Sequence, residues 1–495
     1  MAEPRRWSVT SARRGVPSPA IAAGVAGAAA VAVLAAVVLD WRLAVPVALG
    51  LPIVGAVTLQ EWASPNRLGP VVADDTVHRV RSLSRVSVLH RDATLAATWA
   101  GLVLTPGLRL FEGQRYVGEA SSGTGSIDIL LELAATGLAA LVVVSALRAG
   151  WSIRLPRPTS LLAAFALLTV LSVIWSHLPV FSAARAFQFA TLAAFTAYCA
   201  DRAAADQGFF ERILERTMRW VTFGVLALVV WAFLEGGEWR GRFTWRGSHP
   251  NNSASLMLFP ALALVFHPRR REITRPLPWW LALGVLVYFT YETGARGYAA
   301  AGAVALFAGW LFTGLRDSRR WALGLGVGLI VAGTIWGFAA DRVVDFIYRD
   351  NSSEEIVSLH GRRELWAWAL DNPVGSEIWG IGVGANRGVI NAPWKPQNAH
   401  NAWIDLLQTV GVVGITLMGA LLASLLALAA LRRSVHAAWM TAFVVVASVN
   451  SVTIANPGPI TVVLGLAILA LQEGRAPPSA PSSSPAATER AGSGA

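Results

Sequence analysis

The chain has 495 residues, 54% hydrophobic and 14% charged, whereas a soluble domain carries about 25% charged residues. Mean hydropathy is +0.51, and the apolar residues fall in blocks of about 17–25, the length that crosses a bilayer as helix. These values exclude a soluble multidomain enzyme, a collagen-like fibre and a disordered chain. They predict an all-α, polytopic transmembrane helix bundle.

The net charge is +11, from 41 basic and 30 acidic residues, and Lys395 is the one lysine. The Arg- and Ala-rich composition points to a GC-rich bacterial genome. No basic stripe interleaved with aromatics occurs in a soluble segment, so nucleic acid is not a predicted partner. Arginines holding membrane loops in the cytoplasm account for the charge. Cys199 is the only cysteine, which excludes an intramolecular disulfide and a Cys-rich metal site.

In chain order, residues 1–20 form a basic cytoplasmic N-terminus carrying Arg5, Arg6, Arg13 and Arg14. The apolar run that follows, to Leu39, exceeds the roughly 7–15 residues of a signal peptide and reads as a first span. Residues 21–180 hold the N-terminal transmembrane helices, with further spans at 43–61, 93–107, 126–147 and 158–175. Residues 181–339 hold the central ones, at 181–200, 219–235, 253–267, 277–292, 296–315 and 321–339. A long extracytoplasmic loop, 340–400, precedes C-terminal helices over 401–472, at 401–431, 434–452 and 455–471. The total is about 12–14 spans, and residues 473–495, rich in Ser, Pro and Ala, read as a disordered cytoplasmic tail.

Alternate loops are rich in arginine: 79–91, 148–157, 212–219, 267–275, 316–320 and 432–433 fall on one side. The positive-inside rule places that side, and both termini, in the cytoplasm of a multi-pass bacterial cytoplasmic-membrane protein. The loop of about 60 residues on the other face is long enough to carry function or helices of its own. Within it, Arg362 to Leu370 reads as a short amphipathic helix and Gly380 to Gly384 as a turn-rich connector.

Arginines should avoid the outer face, yet Arg185, Arg240, Arg242, Arg246, Arg296, Arg362, Arg363 and Arg387 sit on it or at its membrane edge. Snorkelling or scattered ion pairs account for any single one. Arg185 and Arg296 lie within or at the start of apolar spans, where an ionisable side chain marks a functional site by default. Several guanidiniums facing outward fit an anionic ligand, and phosphate is their bidentate match. His400, just before an apolar span, sits where a helix N-terminus keeps an imidazole neutral. Both a proton acceptor for a hydroxyl and a plain capping residue fit that position.

The run His400-Asn401, then nine residues, then Gly411-Val-Val-Gly414 resembles the histidine motif of the O-antigen ligase and polymerase family. Four segments are similar to other parts of that family, in order: Ser182-Ala-Ala-Arg185; His249-Pro-Asn251 preceded by Arg242; Gly294-Ala-Arg-Gly297, with Ala295 in place of serine; and Gly361-Arg-Arg-Glu-Leu-Trp366. The resemblance covers about residues 180–470, and Ile415 stands where the ligases often have Gly, Thr or Tyr. It implies a GT-C-like membrane glycosyltransferase that is metal-independent, inverting and without cofactor. Its donor would be a polyprenyl-diphosphate-linked glycan, its acceptor a glycan or glycolipid, and its site on the outer face. It implies His400 as catalytic base, Arg242, Arg296, Arg362 and Arg185 on the diphosphate, and Asn401 and Asn251 beside the substrate.

Gly411 and Gly414 read as small residues for helix packing. Gly380-x-Gly382 follows no strand and is no dinucleotide loop. Trp279, Trp280, Trp310 and Trp321 read as belt anchors. Trp366, Trp368, Trp394 and Trp403 fit either loop docking or sugar stacking. The rival function is a transporter or flippase of lipid-linked oligosaccharides, or a related polysaccharide export component, for which internal pseudo-repeats and mid-membrane charges would speak; no repeat is apparent and the charges gather at the outer rim.

Overall fold

The computed structural model describes residues 88–107, 127–153, 155, 157–238, 241–245, 249–314, 362–372, 375–385, 401–449 and 458–473. The first two spans, the span at 321–339, the tail from 474 on, and His400, Arg240, Arg246 and Arg387 lie outside the described residues. Thirteen α-helices make up the described part: α1 (Asp92–Leu104), α2 (Ile127–Arg148), α3 (Arg157–Leu171), α4 (Pro179–Ala205), α5 (Phe209–Leu234), α6 (Pro250–Phe266), α7 (Arg270–Thr274), α8 (Trp279–Glu292), α9 (Arg296–Gly314), α10 (Arg362–Asp371), α11 (Ala402–Arg432), α12 (Val435–Val449) and α13 (Pro459–Gln472). No strand occurs among the described residues; the only pairings of that kind there are two isolated bridges, Glu238 with Phe243 and Ser376 with Gly380. Eleven of these helices coincide with sequence-predicted spans, and α10 with the predicted amphipathic helix.

Among the described residues, four helices are long and apolar enough to cross a membrane: Leu131–Arg148 within α2, α4, α5 and α11. At 1.5 Å per residue, the 27 residues of α4 extend about 40 Å, beyond the roughly 30 Å hydrocarbon core. The outward faces agree with that environment. Ile174, Val180, Phe233 and Leu234 are 71–85% exposed, and Leu141, Leu167 and Phe307 are each 59% exposed. An apolar surface of this extent needs a lipid-like surround. The chain is an all-α membrane protein.

At the centre stands α13, every residue of which is buried from Pro459 to all but its last atoms at Gln472. It packs against α4, α12, α1 and α11, which explains why its sequence is apolar all round rather than on one stripe. Around it α9 pairs with α12, α1 with α5, α3 with both α4 and α11, and α6 with α8. Prolines at the first positions of α4, α6 and α13 start helices where the missing N–H costs nothing.

The two ends of the bundle differ. At one, Arg212 bridges Asp92 (2.8 Å) and Asp206 (2.6 Å), while buried Arg202 donates to the His90 carbonyl (3.0 Å) and stacks on Phe209. His267 there approaches Glu211 at 3.7 Å. This charged end gathers the chain segments with the densest arginine. The starts of α4, α6, α9 and α11 lie at the other end.

Candidate functional site

The long helix α11 is not continuous. Gly411 has φ 67° and ψ −168°, a conformation essentially confined to glycine, and it breaks the helix after Val410. A break in an apolar helix strands backbone groups that lipid cannot satisfy. The segment 375–385 satisfies them from both sides. Ile381 and Gly382 donate to the carbonyls of Gln408 and Thr409 (both 2.9 Å), and Val412 and Val413 donate to those of Glu377 (2.9 Å) and Ile378 (3.4 Å). The packing role predicted for Gly411 is therefore corrected: it is the hinge of a backbone joint.

The same segment ties in α3 and α4. Val383 N donates to Ser172 Oγ (3.0 Å), its carbonyl accepts from Ser182 Oγ (2.7 Å), and the Ser176 and Ser182 hydroxyls are 2.6 Å apart. Ser182, the first residue of the Ser-x-x-Arg motif, is fully buried in this joint. Three residues on, Arg185 donates to Glu132 (2.6 Å) and to Gln188 (2.8 Å), and Gln188 donates to Glu132 (2.7 Å). Its guanidinium also lies 5.2 Å from the Phe181 ring centre. Arg185 is thus one corner of a polar triad between α2 and α4.

Asn401 caps α11, its side chain accepting from Trp403 N at 2.9 Å. Asn401, Asp405 and Gln408 follow at helical spacing, and they are 0%, 0% and 4% exposed. This polar stripe runs from the residue after His400 to the Gly411 break. Helix α10, whose first residue is Arg362 and in which Leu365, Trp366 and Ala369 are buried, packs on α11, and Gln408 donates to the Ala369 carbonyl at 3.5 Å. Asp405 escaped the sequence reading, although a carboxyl inside an apolar span is a signal of function in its own right. Trp403 Nε1 donates to Ser448 Oγ (2.9 Å), fixing the start of α11 to the end of α12.

The arginine-bearing loops meet nearby. Arg242 Nε donates to the Thr293 carbonyl at 2.6 Å, and Phe243 N to that of Glu292 at 3.1 Å. Thr293 Oγ1 in turn accepts from Ala295 N (3.2 Å), shaping the turn from which α9 starts at Arg296. Thr244 bonds Ser253 in the first turn of α6 (2.9 Å), and Asn251 N donates to the capping His249 (3.2 Å). The Arg242 segment, the α6 start that carries Asn251 and the α9 start at Arg296 are therefore neighbours. Tyr298, early in α9, meets Phe443 of α12 with ring centres 6.4 Å apart, and α12 holds Trp403 through Ser448. Through α12, the Arg296 turn and Asn401 share one end of the bundle.

The starts of α4, α6, α9 and α11 lie at this end together with Arg242 and Arg296. Among the described residues no three His, Cys, Asp or Glu side chains come together to hold a metal ion. Comparison of the chain with protein-family models, with curated proteins and with solved structures finds no match.

Proposed function

We propose that the protein is a membrane glycosyltransferase, transferring or polymerising a glycan from a polyprenyl-diphosphate carrier onto an acceptor sugar hydroxyl. The observation that supports this reading is the convergence at one end of the segments carrying the family resemblance: Ser182 to Arg185, Arg242 with His249 to Asn251, Gly294 to Arg296, and Asn401. These segments are scattered over more than two hundred residues of sequence.

In this reading His400 takes the proton from the acceptor hydroxyl. The oxygen bonds to the anomeric carbon as the bond from that carbon to the diphosphate oxygen breaks, with inversion. The leaving lipid diphosphate carries the developing charge, which Arg242, Arg296 and Arg362 balance. Arg185, held by Glu132, orients the start of α4 and so supports the site indirectly. No metal or cofactor is required. The acceptor is a glycan or glycolipid, the site faces the exterior of a bacterial cytoplasmic membrane, and both termini are cytoplasmic.

The test is a purified protein given a polyprenyl-diphosphate glycan and an acceptor, with the new glycosidic bond read by mass spectrometry. His400→Ala should lose about 10²–10⁴-fold in rate, while donor binding persists. A protein that moves the intact donor across a vesicle membrane without forming a glycosidic bond would be the transporter instead. Cysteine labelling at Ser376 should be external and at Asp317 internal; an internal Ser376 would remove the shared outer site.

A further inference from the structure

At the charged end, the connection between α6 and α8 folds into the short helix α7 and then a Pro-Leu-Pro run. A cavity of about 380 Å³ opens there, lined by Arg271, Pro276, Leu277, Pro278, Trp279 and Trp280. The arginines around it are mostly committed. Arg269 pairs with Glu215 (3.8 Å), Arg275 with Glu272 (4.0 Å), and Arg270 lies 4.3 Å over the Trp279 ring while donating to the Val265 carbonyl. Arg219 is on the Glu272 carbonyl. Arg271 has no partner among the described residues, and it is the one charged side chain lining the cavity.

The cavity sits at the foot of an apolar face that no other described helix covers. On α8 only Ala282, Leu286 and Thr290 are buried. The opposite side shows Trp280 (62% exposed), Val287 (51%) and Tyr288 (56%), with Gly284 between them and nothing near the position of a Cβ there. Residues four and eight apart share one helix face, so Trp280, Gly284 and Tyr288 line a shallow furrow with an aromatic at each end. A guanidinium, two tryptophans at a span end, and an apolar furrow running away from them match a phosphate with an acyl chain.

We propose that Arg271, Trp279 and Trp280 form a headgroup site for an anionic phospholipid, whose acyl chain lies along the Trp280–Gly284–Tyr288 face of α8. Phosphatidylglycerol and phosphatidylcholine share the phosphate, but only the first presents net negative charge to Arg271, the one charged side chain lining the cavity. The inference is independent of the glycosyltransferase reading.

The full chain, purified and delipidated in detergent, is titrated with either lipid at matched chain length, and occupancy is read by native mass spectrometry. Wild-type protein should favour phosphatidylglycerol about fivefold, the worth of one arginine near an anionic headgroup. Arg271→Gln should abolish the preference at unchanged melting temperature, since the side chain is exposed and unpaired. Arg275→Gln, 76% exposed and four residues away, should retain it. Gly284→Leu, which fills the furrow, should lower the occupancy of both lipids alike. Equal uptake of the two lipids by wild-type protein, an unaltered preference in Arg271→Gln, or an equal loss in Arg275→Gln would each overturn the proposal.

Discussion

Gly380 and Gly411 press backbone against backbone: a Cβ on Gly380 would overlap the peptide of Thr409 and Val410, and one on Gly411 would overlap that of Ile378 and Trp379. Both have positive φ, 66° and 67°. The two glycines let the 375–385 segment enter a helix break closely enough to exchange main-chain hydrogen bonds on each side of it. The joint lies three residues from Asp405–Gln408 and binds Ser182, so it sets the position of α11's first half relative to α4.

Gly411→Ala should therefore destabilise the protein by about 1–3 kcal/mol from backbone strain alone, with a further loss from the overlap. Gly419, in the same helix with open space around it, provides the contrast. Gly419→Ala should be neutral or stabilising by up to about 1 kcal/mol, because alanine is the better helix former. Thermal unfolding in detergent reads both. Equal melting of Gly411→Ala and wild type would mean that the joint is not under the constraint described.

The Arg185–Glu132 pair, with side chains 15% and 18% exposed, is shielded enough to couple. Glu132→Gln and Arg185→Met should each destabilise, since each leaves a partly buried group short of its partner. The double variant should recover part of the loss, with a coupling of about 0.5–3 kcal/mol. Simple additivity would return Arg185 to the candidates for direct ligand contact.

Much of the fold was legible in the sequence because apolar block length is a local property: eleven predicted spans are helices, and even the 362–370 segment was found. The joint was not, since a glycine in an apolar span carries the same letter whether it packs a helix or breaks one. Only the 375–385 segment, some thirty residues away, tells the two apart. Arg185 posed the same difficulty, its partner Glu132 being 53 residues off, and Arg242 reaches Thr293 across 51. The ordered motifs named residues that open helices at one end, whereas their pairings depend on tertiary contacts that no spacing encodes.

Arg242 and Arg296 act on one turn, so their substitutions should interact. Arg242→Lys replaces a guanidinium whose Nε holds the Thr293 carbonyl, and Arg296→Lys retains charge without the planar fork. Under the proposed function each should lower glycan transfer roughly tenfold or more, the worth of a charge-assisted hydrogen bond. The double variant should lose less than the product of the two, because loosening the turn already displaces Arg296. Steady-state rates at saturating acceptor measure this, and full activity in both lysine variants would remove the fork from the mechanism.

Two buried histidines beyond helix ends, His90 before α1 and His267 after α6, give the fold an acid limit. His90 lies between Tyr198 Oη (2.9 Å) and Ser145 Oγ (3.1 Å); burial, and then the nearby Arg202, hold its pKa below the ordinary 6.5. His267 is lowered chiefly by burial, with Arg269 adding to the effect, Glu211 opposing it and the His436 ring 6.0 Å away. A histidine whose folded pKa is depressed binds fewer protons folded than unfolded at acid pH. Its contribution is thus complete above the unfolded value of 6.5 and is lost as pH falls from there through the lower folded value. Melting temperature should be level from about pH 8 to 7 and decline steadily below about pH 6.5. His267→Gln should lower stability at neutral pH yet flatten the decline, and the double change with His90→Gln should flatten it further. A decline of unchanged slope in the double variant would take the acid sensitivity away from these two histidines.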